Sequence, residues 1–198
     1  MKTIQKSKQF KFYALALVAA LTFSSCSNDN DTPEPVVEGE LITTVIATYT
    51  PVGGGTAITM QFRDLDGVGG NPPVITASDN FKSNTTYNGA LQFKNELANP
   101  AEDITEEILE LDLEHQAFYQ TTGTINPFTY GTASSNFDTN GKPVGLQSVF
   151  VTTGAASGTL TITLRHNPTK SEPNVSNGDI TNAGGSTDIQ VTFPITVI

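Results

Sequence analysis

The 198-residue chain has one cysteine, no tryptophan and half as many basic as acidic residues. A single cysteine excludes an internal disulfide, so a folded domain must be held by its hydrophobic core alone. The missing tryptophan removes the usual aromatic platform of a sugar site. The formal charge of −10 argues against nucleic acid and against anionic lipid surfaces, both of which require positive charge. Serine-elbow, H-E-x-x-H and phosphate-loop motifs are absent as well. Only one apolar run is long enough to notice, at residues 12–23, and it is too short to span a bilayer.

That run sits behind Lys2, Lys6, Lys8 and Lys11 and ahead of Phe23-Ser24-Ser25-Cys26. A basic stretch, an apolar stretch and small residues before a cysteine describe a lipoprotein signal peptide over residues 1–25, with Cys26 as the lipidated residue. Acyl chains on Cys26 contribute about 0.8 kcal/mol per buried CH₂, which is stable anchoring in membrane lipid. Residues 26–39 carry Asp, Asn, Pro and Glu and read as a disordered tether. Acidic residues just after the cysteine resemble a surface-export signal. The expected location is therefore the outer membrane, lipid-anchored and cell-surface exposed, with the periplasmic leaflet as the alternative. Removal of residues 1–25 takes away four lysines and no acid. It leaves six basic against 20 acidic residues, a formal charge of −14.

From residue 40 to residue 198 the pattern has period two and is rich in Thr, Val, Ile and Phe. Leu41, Val45, Ala47 and Tyr49 share one parity. So do Ile58, Met60 and Phe62, then Tyr87, Leu91 and Phe93, with Gly89 a candidate bulge. Further strands are expected at Leu111 to Tyr119, Leu146 to Val151, Leu160 to His166 and Ile189 to Val197. Pro194 marks the last as an edge or bulged strand. Residues 100–109 have the early proline and acids of a helix start. The expectation is a single all-β domain: an antiparallel β-sandwich of immunoglobulin-like type, with about seven or eight strands and at most one short helix.

Three groups of residues could carry chemistry. His115 and His166 both fall on the apolar parity of their strands, and imidazoles suit a transition metal. One shared ion requires the two rings within about 5 Å, since each metal–nitrogen bond is near 2 Å. Glu114 and Asp112 have the opposite parity and are expected to face away. The competing reading is two half-buried histidines, each satisfied by its own hydrogen bond. Asp64-Leu-Asp66-Gly67 and Asp138-Thr-Asn140-Gly141 begin as calcium loops do, but also as tight turns do, and Asp64 with Asp66 is the better calcium candidate. The run Glu102, Asp103, Glu106, Glu107, Glu110, Asp112 and Glu114 reads as a solvated face rather than an acid–base pair. No enzymatic activity is expected.

Several segments together carry a resemblance: Arg63-Asp-Leu-Asp-Gly67, Thr86-Tyr-Asn-Gly89, Asp103-Ile-Thr-Glu-Glu107, Glu114-His-Gln116, Leu164-Arg-His166 and residues 178–193. From about residue 40 onward the chain resembles small Bacteroidota outer-membrane lipoproteins that bear the label "type 1 periplasmic binding fold superfamily protein". Folds of that name are larger and alternate helix with strand, which this chain does not, so the β-sandwich remains the expected fold. The resemblance implies a neighbouring TonB-dependent outer-membrane receptor. It suggests a non-enzymatic ligand- or metal-binding accessory to that transporter. A surface module with no small-molecule site is the alternative.

Overall fold

The computed structural model describes residues 40–67 and 69–198. Cys26, the signal peptide and the tether at 26–39 lie outside these residues. Strand β1 (Thr44–Pro51) places Val45, Ala47 and Tyr49 on one face, all fully buried. Leu41, which shares their parity, precedes the strand and is exposed. β2 (Ile58–Arg63) and β4 (Thr86–Asn95) flank β1 antiparallel, with Val45 opposite Phe62 on one side and Phe93 on the other. The β1–β4 ladder runs without a break through Gly89, so the expected bulge is not there. Gly89 serves a different need: a Cβ at this position would overlap the Tyr49 ring and the Ser148 hydroxyl.

Among the described residues ten strands form two open antiparallel sheets. The larger sheet has the order β3 (Val74–Ala77), β2, β1, β4, β8 (Gln147–Val151), β7 (Phe128–Tyr130), and the short β5 (Glu102–Asp103) pairs with the end of β4. The smaller sheet has the order β10 (Ser186–Val197), β9 (Ala156–His166), β6 (His115–Thr121). Alternate residues from both sheets meet in one core that includes Tyr49, Phe93, Phe150, Leu160, Ile162 and Phe193. The fold is an antiparallel all-β sandwich, with more strands than the periodicity suggested. β10 is the edge strand that Pro194 predicted, and its ladder with β9 carries a bulge between Thr187 and Ile189.

Among the described residues one α-helix, α1 (Ile104–Glu110), is present, and it connects β5 to β6. The Asp103 carboxylate caps it by accepting the Thr105 amide at 3.1 Å. Ile104 and Ile108 enter the core, while Glu106, Glu107 and Glu110 face solvent. The strand expected from Leu111 starts only at His115. Residues 111–114 are a turn, closed by the Glu114 amide on the Leu111 carbonyl at 2.9 Å, and Leu111 and Leu113 are exposed. No helix among the described residues is long and apolar enough to cross a membrane.

Candidate metal centre

β6 and β9 are antiparallel, and their ladder makes the first residue of one the partner of the last residue of the other. These residues are His115 and His166. Directly opposed residues on one sheet face bring their side chains together. The two rings lie 4.8 Å apart between centroids and are nearly perpendicular, at 79°. The spacing expected for a shared ion is therefore met.

Two carboxylates that the periodicity did not indicate complete the cluster. Asp188 occupies the bulge in β10, where Thr187 pairs with Arg165 and Ile189 with Leu164, leaving Asp188 without a rung. Strict alternation would point it away from the inward-facing Ile189 and Val191; the extra residue turns it inward. Its side chain bridges both histidines, with Oδ1 3.6 Å from His166 Nδ1 and Oδ2 3.8 Å from His115 Nε2. The Arg165 guanidinium holds the preceding loop by donating to the Gly185 carbonyl at 2.8 Å. Gly185 has φ +65°, and any Cβ there would strike the His166 carbonyl. Only glycine lets the chain turn this close to the histidine.

Glu40 reaches the cluster from the segment ahead of β1. Its Oε1 lies 3.0 Å from His115 Nε2, although no hydrogen bond is aligned between them. The site is nearly dry: side-chain exposure is 0% for His115, 2% for Asp188, 8% for Glu40 and 10% for His166. Glu40 Oε2, His115 Nε2, His166 Nδ1 and Asp188 Oδ2 are all buried without a hydrogen-bond partner. Buried polar atoms are ordinarily paired, so four such atoms in one place need an explanation.

The tautomer of His115 sharpens this. Its Nδ1 lies 3.1 Å from the Leu111 carbonyl, and a carbonyl only accepts, so Nδ1 carries the proton. Nε2 then faces Glu40 and Asp188 either as a bare lone pair against two carboxylates, which is repulsive, or with a cation between. That cation is a proton or a metal ion. Burial works against a charged imidazole, but the contact and charge of Glu40, the Leu111 carbonyl and the charge of Asp188 outweigh it and hold the His115 pKa above its ordinary value. Asp188 is also held above the usual carboxylate range, first by burial and then by the like charge of Glu40, against the pull of His166, His115 and Arg165.

His166 has an outer contact too, since its Nε2 lies 3.7 Å from Glu114 Oε2. Parity had turned Glu114 away. It sits in the turn before β6, where strand alternation does not apply, and so its half-exposed side chain reaches the ring. Glu40, His115 and His166 can each offer one ligand atom, with these atoms within 4.8 Å of one another.

The other candidates resolve differently. Asp64 Oδ1 accepts the Gly67 amide at 2.9 Å, and Asp66 Oδ2 accepts both the amide of Asn71, at 2.9 Å, and its side chain, at 2.6 Å. Both carboxylates are occupied in closing their own turns, and hydrogen bonds from Asn71 lower the pKa of Asp66. Calcium at Asp64 and Asp66 gains no support from this geometry. Asp138 also closes a turn, accepting the amides of Asn140 at 2.9 Å and Lys142 at 2.8 Å, but it is buried and takes Lys170 Nζ at 3.0 Å. The same ammonium donates to the Asp112 carbonyl at 2.6 Å, which ties the turn before His115 to the loop after His166. A separate polar cleft of about 470 Å³ lies against the glycine loop at 53–55, with Asp79, Lys82 and Thr86 on its walls.

Comparison of the chain with protein-family models, with curated proteins and with solved structures gives no match.

Proposed function

We propose that this protein is a non-enzymatic, transition-metal-binding lipoprotein of the outer membrane, with the ion held between His115 and His166. The observation that carries this reading is the convergence of four buried, unpartnered donor atoms from Glu40, His115, His166 and Asp188. Imidazole and carboxylate together suit zinc and its neighbours in the first transition row. Anchoring through Cys26 rests on the N-terminal sequence alone. The accessory role beside a TonB-dependent receptor rests on the resemblance of the chain to small Bacteroidota lipoproteins.

Metal analysis tests the site. The full chain, exposed to zinc, copper or nickel and then dialysed, should retain about one ion. His115→Ala and His166→Ala should each retain little. A wild-type chain that keeps no ion would end this reading. Co-purification from solubilised membranes addresses the partner: recovery of a β-barrel receptor supports the accessory role, and recovery of the lipoprotein alone counts against a stable complex.

A second reading has one observation in its favour. Leu109, Leu111 and Leu113 are all exposed, within five residues of one another, beside the turn that leads to His115. Clustered apolar side chains on a surface mark contact sites. An interaction module would bind its partner whether or not His115 and His166 are present.

A further inference from the structure

The lead-in to the sandwich is weakly attached. Among the described residues, residues 40–42 make no backbone hydrogen bond; the first is the Thr43 amide on the Lys94 carbonyl, at 2.9 Å. Leu41 is 56% exposed, and Ile42 packs only at the margin of the core. Yet the side chain at the start of this loose segment, Glu40, is almost wholly buried in the histidine cluster. A carboxylate is costly to bury without a charge to meet it, so the segment stays closed only if the cluster supplies one.

The unpartnered atoms and their grouping suit a metal better than a proton alone. Four donors at 2.0–2.1 Å around a tetrahedral ion lie about 3.3 Å from one another. Here Glu40 to His115 is 3.0 Å, Asp188 to His166 is 3.6 Å and Asp188 to His115 is 3.8 Å. These three contacts lie near that spacing, and the ligand atoms of Glu40, His115 and His166 lie within 4.8 Å of one another, so a bound ion would draw the side chains inward. A proton shared by Glu40 and His115 accounts for the 3.0 Å contact alone and leaves Glu40 Oε2, His166 Nδ1 and Asp188 Oδ2 buried without a hydrogen-bond partner, whereas one ion can meet all four side chains. Charge agrees as well, since the carboxylates of Glu40 and Asp188 neutralise a divalent ion in a site with little water. Each imidazole has an outer contact on its other nitrogen, the Leu111 carbonyl for His115 and Glu114 for His166. For His115 that is the hydrogen bond by which protein zinc ligands are oriented, while Glu114 stands 3.7 Å from His166 Nε2, a charge contact rather than a hydrogen bond. With all four positions filled by side chains the site is closed, which is the character of a structural ion rather than an open catalytic one.

We propose that the cluster is a metal latch: a divalent cation of the zinc class, held by Glu40 and Asp188 as well as by the two histidines, fastens residues 40–42 to the three-stranded sheet. The proposal rests on the metal-binding reading above and adds two ligands and a consequence. Three elements of the small sheet supply His115, His166 and Asp188 as a preformed cup, and Glu40 closes it. Loading therefore couples to the position of the segment that leads into the domain.

Proteolysis of the full chain with a chymotrypsin-type protease, read by mass spectrometry, tests the latch at the bond after Leu41. Saturating zinc should slow that cleavage at least tenfold relative to chelator. Glu40→Gln should still take up zinc through its three remaining ligands, yet lose the slowing, which also controls for any effect of zinc on the protease. Asp188→Asn should weaken zinc affinity at least tenfold while leaving the fold intact by circular dichroism. With cobalt in place of zinc, the intense visible bands of a tetrahedral site should appear in the wild type and fade in Asp188→Asn. If zinc binds but cleavage after Leu41 is unchanged, or slows equally in Glu40→Gln, the latch is wrong and the metal site survives. Unchanged affinity in Asp188→Asn removes Asp188 as a ligand. If zinc does not bind at all, both readings fall.

Discussion

His115 and His166 occupy a single rung of the β6–β9 ladder, at the end of the small sheet, with Asp188 bridging them from the bulge in β10. The rung gives the pair its geometry without any loop to adjust it. Stability should follow the cation. A ligand that binds only the folded state at a hundred times its dissociation constant stabilises by about 2.7 kcal/mol. Thermal unfolding of the wild type should move up by several degrees with zinc and return with chelator. His115→Ala should show no zinc response.

Gly89 and Tyr49 make a sharper test of the core. The Tyr49 ring lies across the glycine, so Gly89→Ala forces a displacement in a packed interior. Overpacking of this kind costs about 1–3 kcal/mol. Urea unfolding should show a lower midpoint with an unchanged slope. A neutral result would mean that Tyr49 can yield.

The Lys170–Asp138 pair is buried at both ends. Burial lowers the Lys170 pKa from its ordinary value despite the opposing contact and charge of Asp138. Lys170→Met leaves Asp138 Oδ2 unpaired and also frees the Asp112 carbonyl, at a cost of about 3 kcal/mol or more. Adding Asp138→Asn should recover part of that loss. A double-mutant cycle measured by chemical denaturation checks the coupling, which additive losses would disprove.

Alkaline pH offers a separate handle. Burial pushes the Tyr130 phenol up to about 12, against the lowering effect of its hydrogen bond from Gln116. The folded state therefore holds this proton more tightly than the unfolded state does. The stability this contributes is fully present below pH 10 and is lost as pH rises from 10 towards 12. A raised pKa of that size amounts to roughly 2–3 kcal/mol. Tyr130→Phe should flatten part of the fall in denaturation midpoint over that range. Tyr49 and Tyr119, both shifted upward chiefly by burial, will steepen what remains.

The sequence made the long strands legible because one face of each is buried. In β9 and β10 the alternation of Leu160, Ile162 and Leu164, and of Val191, Phe193 and Ile195, follows directly from sheet-on-sheet packing. The same rule misled at Leu111 and Leu113, whose spacing continues the parity of His115 across a turn that is not strand. The three residues of β7 are too few to establish a period. At the site, parity found both histidines because both lie within regular ladder. Asp188 was hidden by a bulge, which reverses facing without changing composition. Glu40 was hidden by distance along the chain, since nothing local to residue 40 shows that it meets residues 115 and 166.

The edge of the small sheet has a consequence of its own. An open strand edge can recruit the edge of a neighbouring copy. On β10 that edge is interrupted at three points. Asp188 breaks the register near the start, Pro194 offers no N–H farther on, and at the end Phe81 is already hydrogen-bonded to the Thr196 carbonyl at 2.9 Å and to the Ile198 amide at 2.8 Å. The bulge that turns a carboxylate toward the histidines thus also works against edge-to-edge pairing of β10, and a substitution that straightened the strand is expected to raise self-association, read by light scattering.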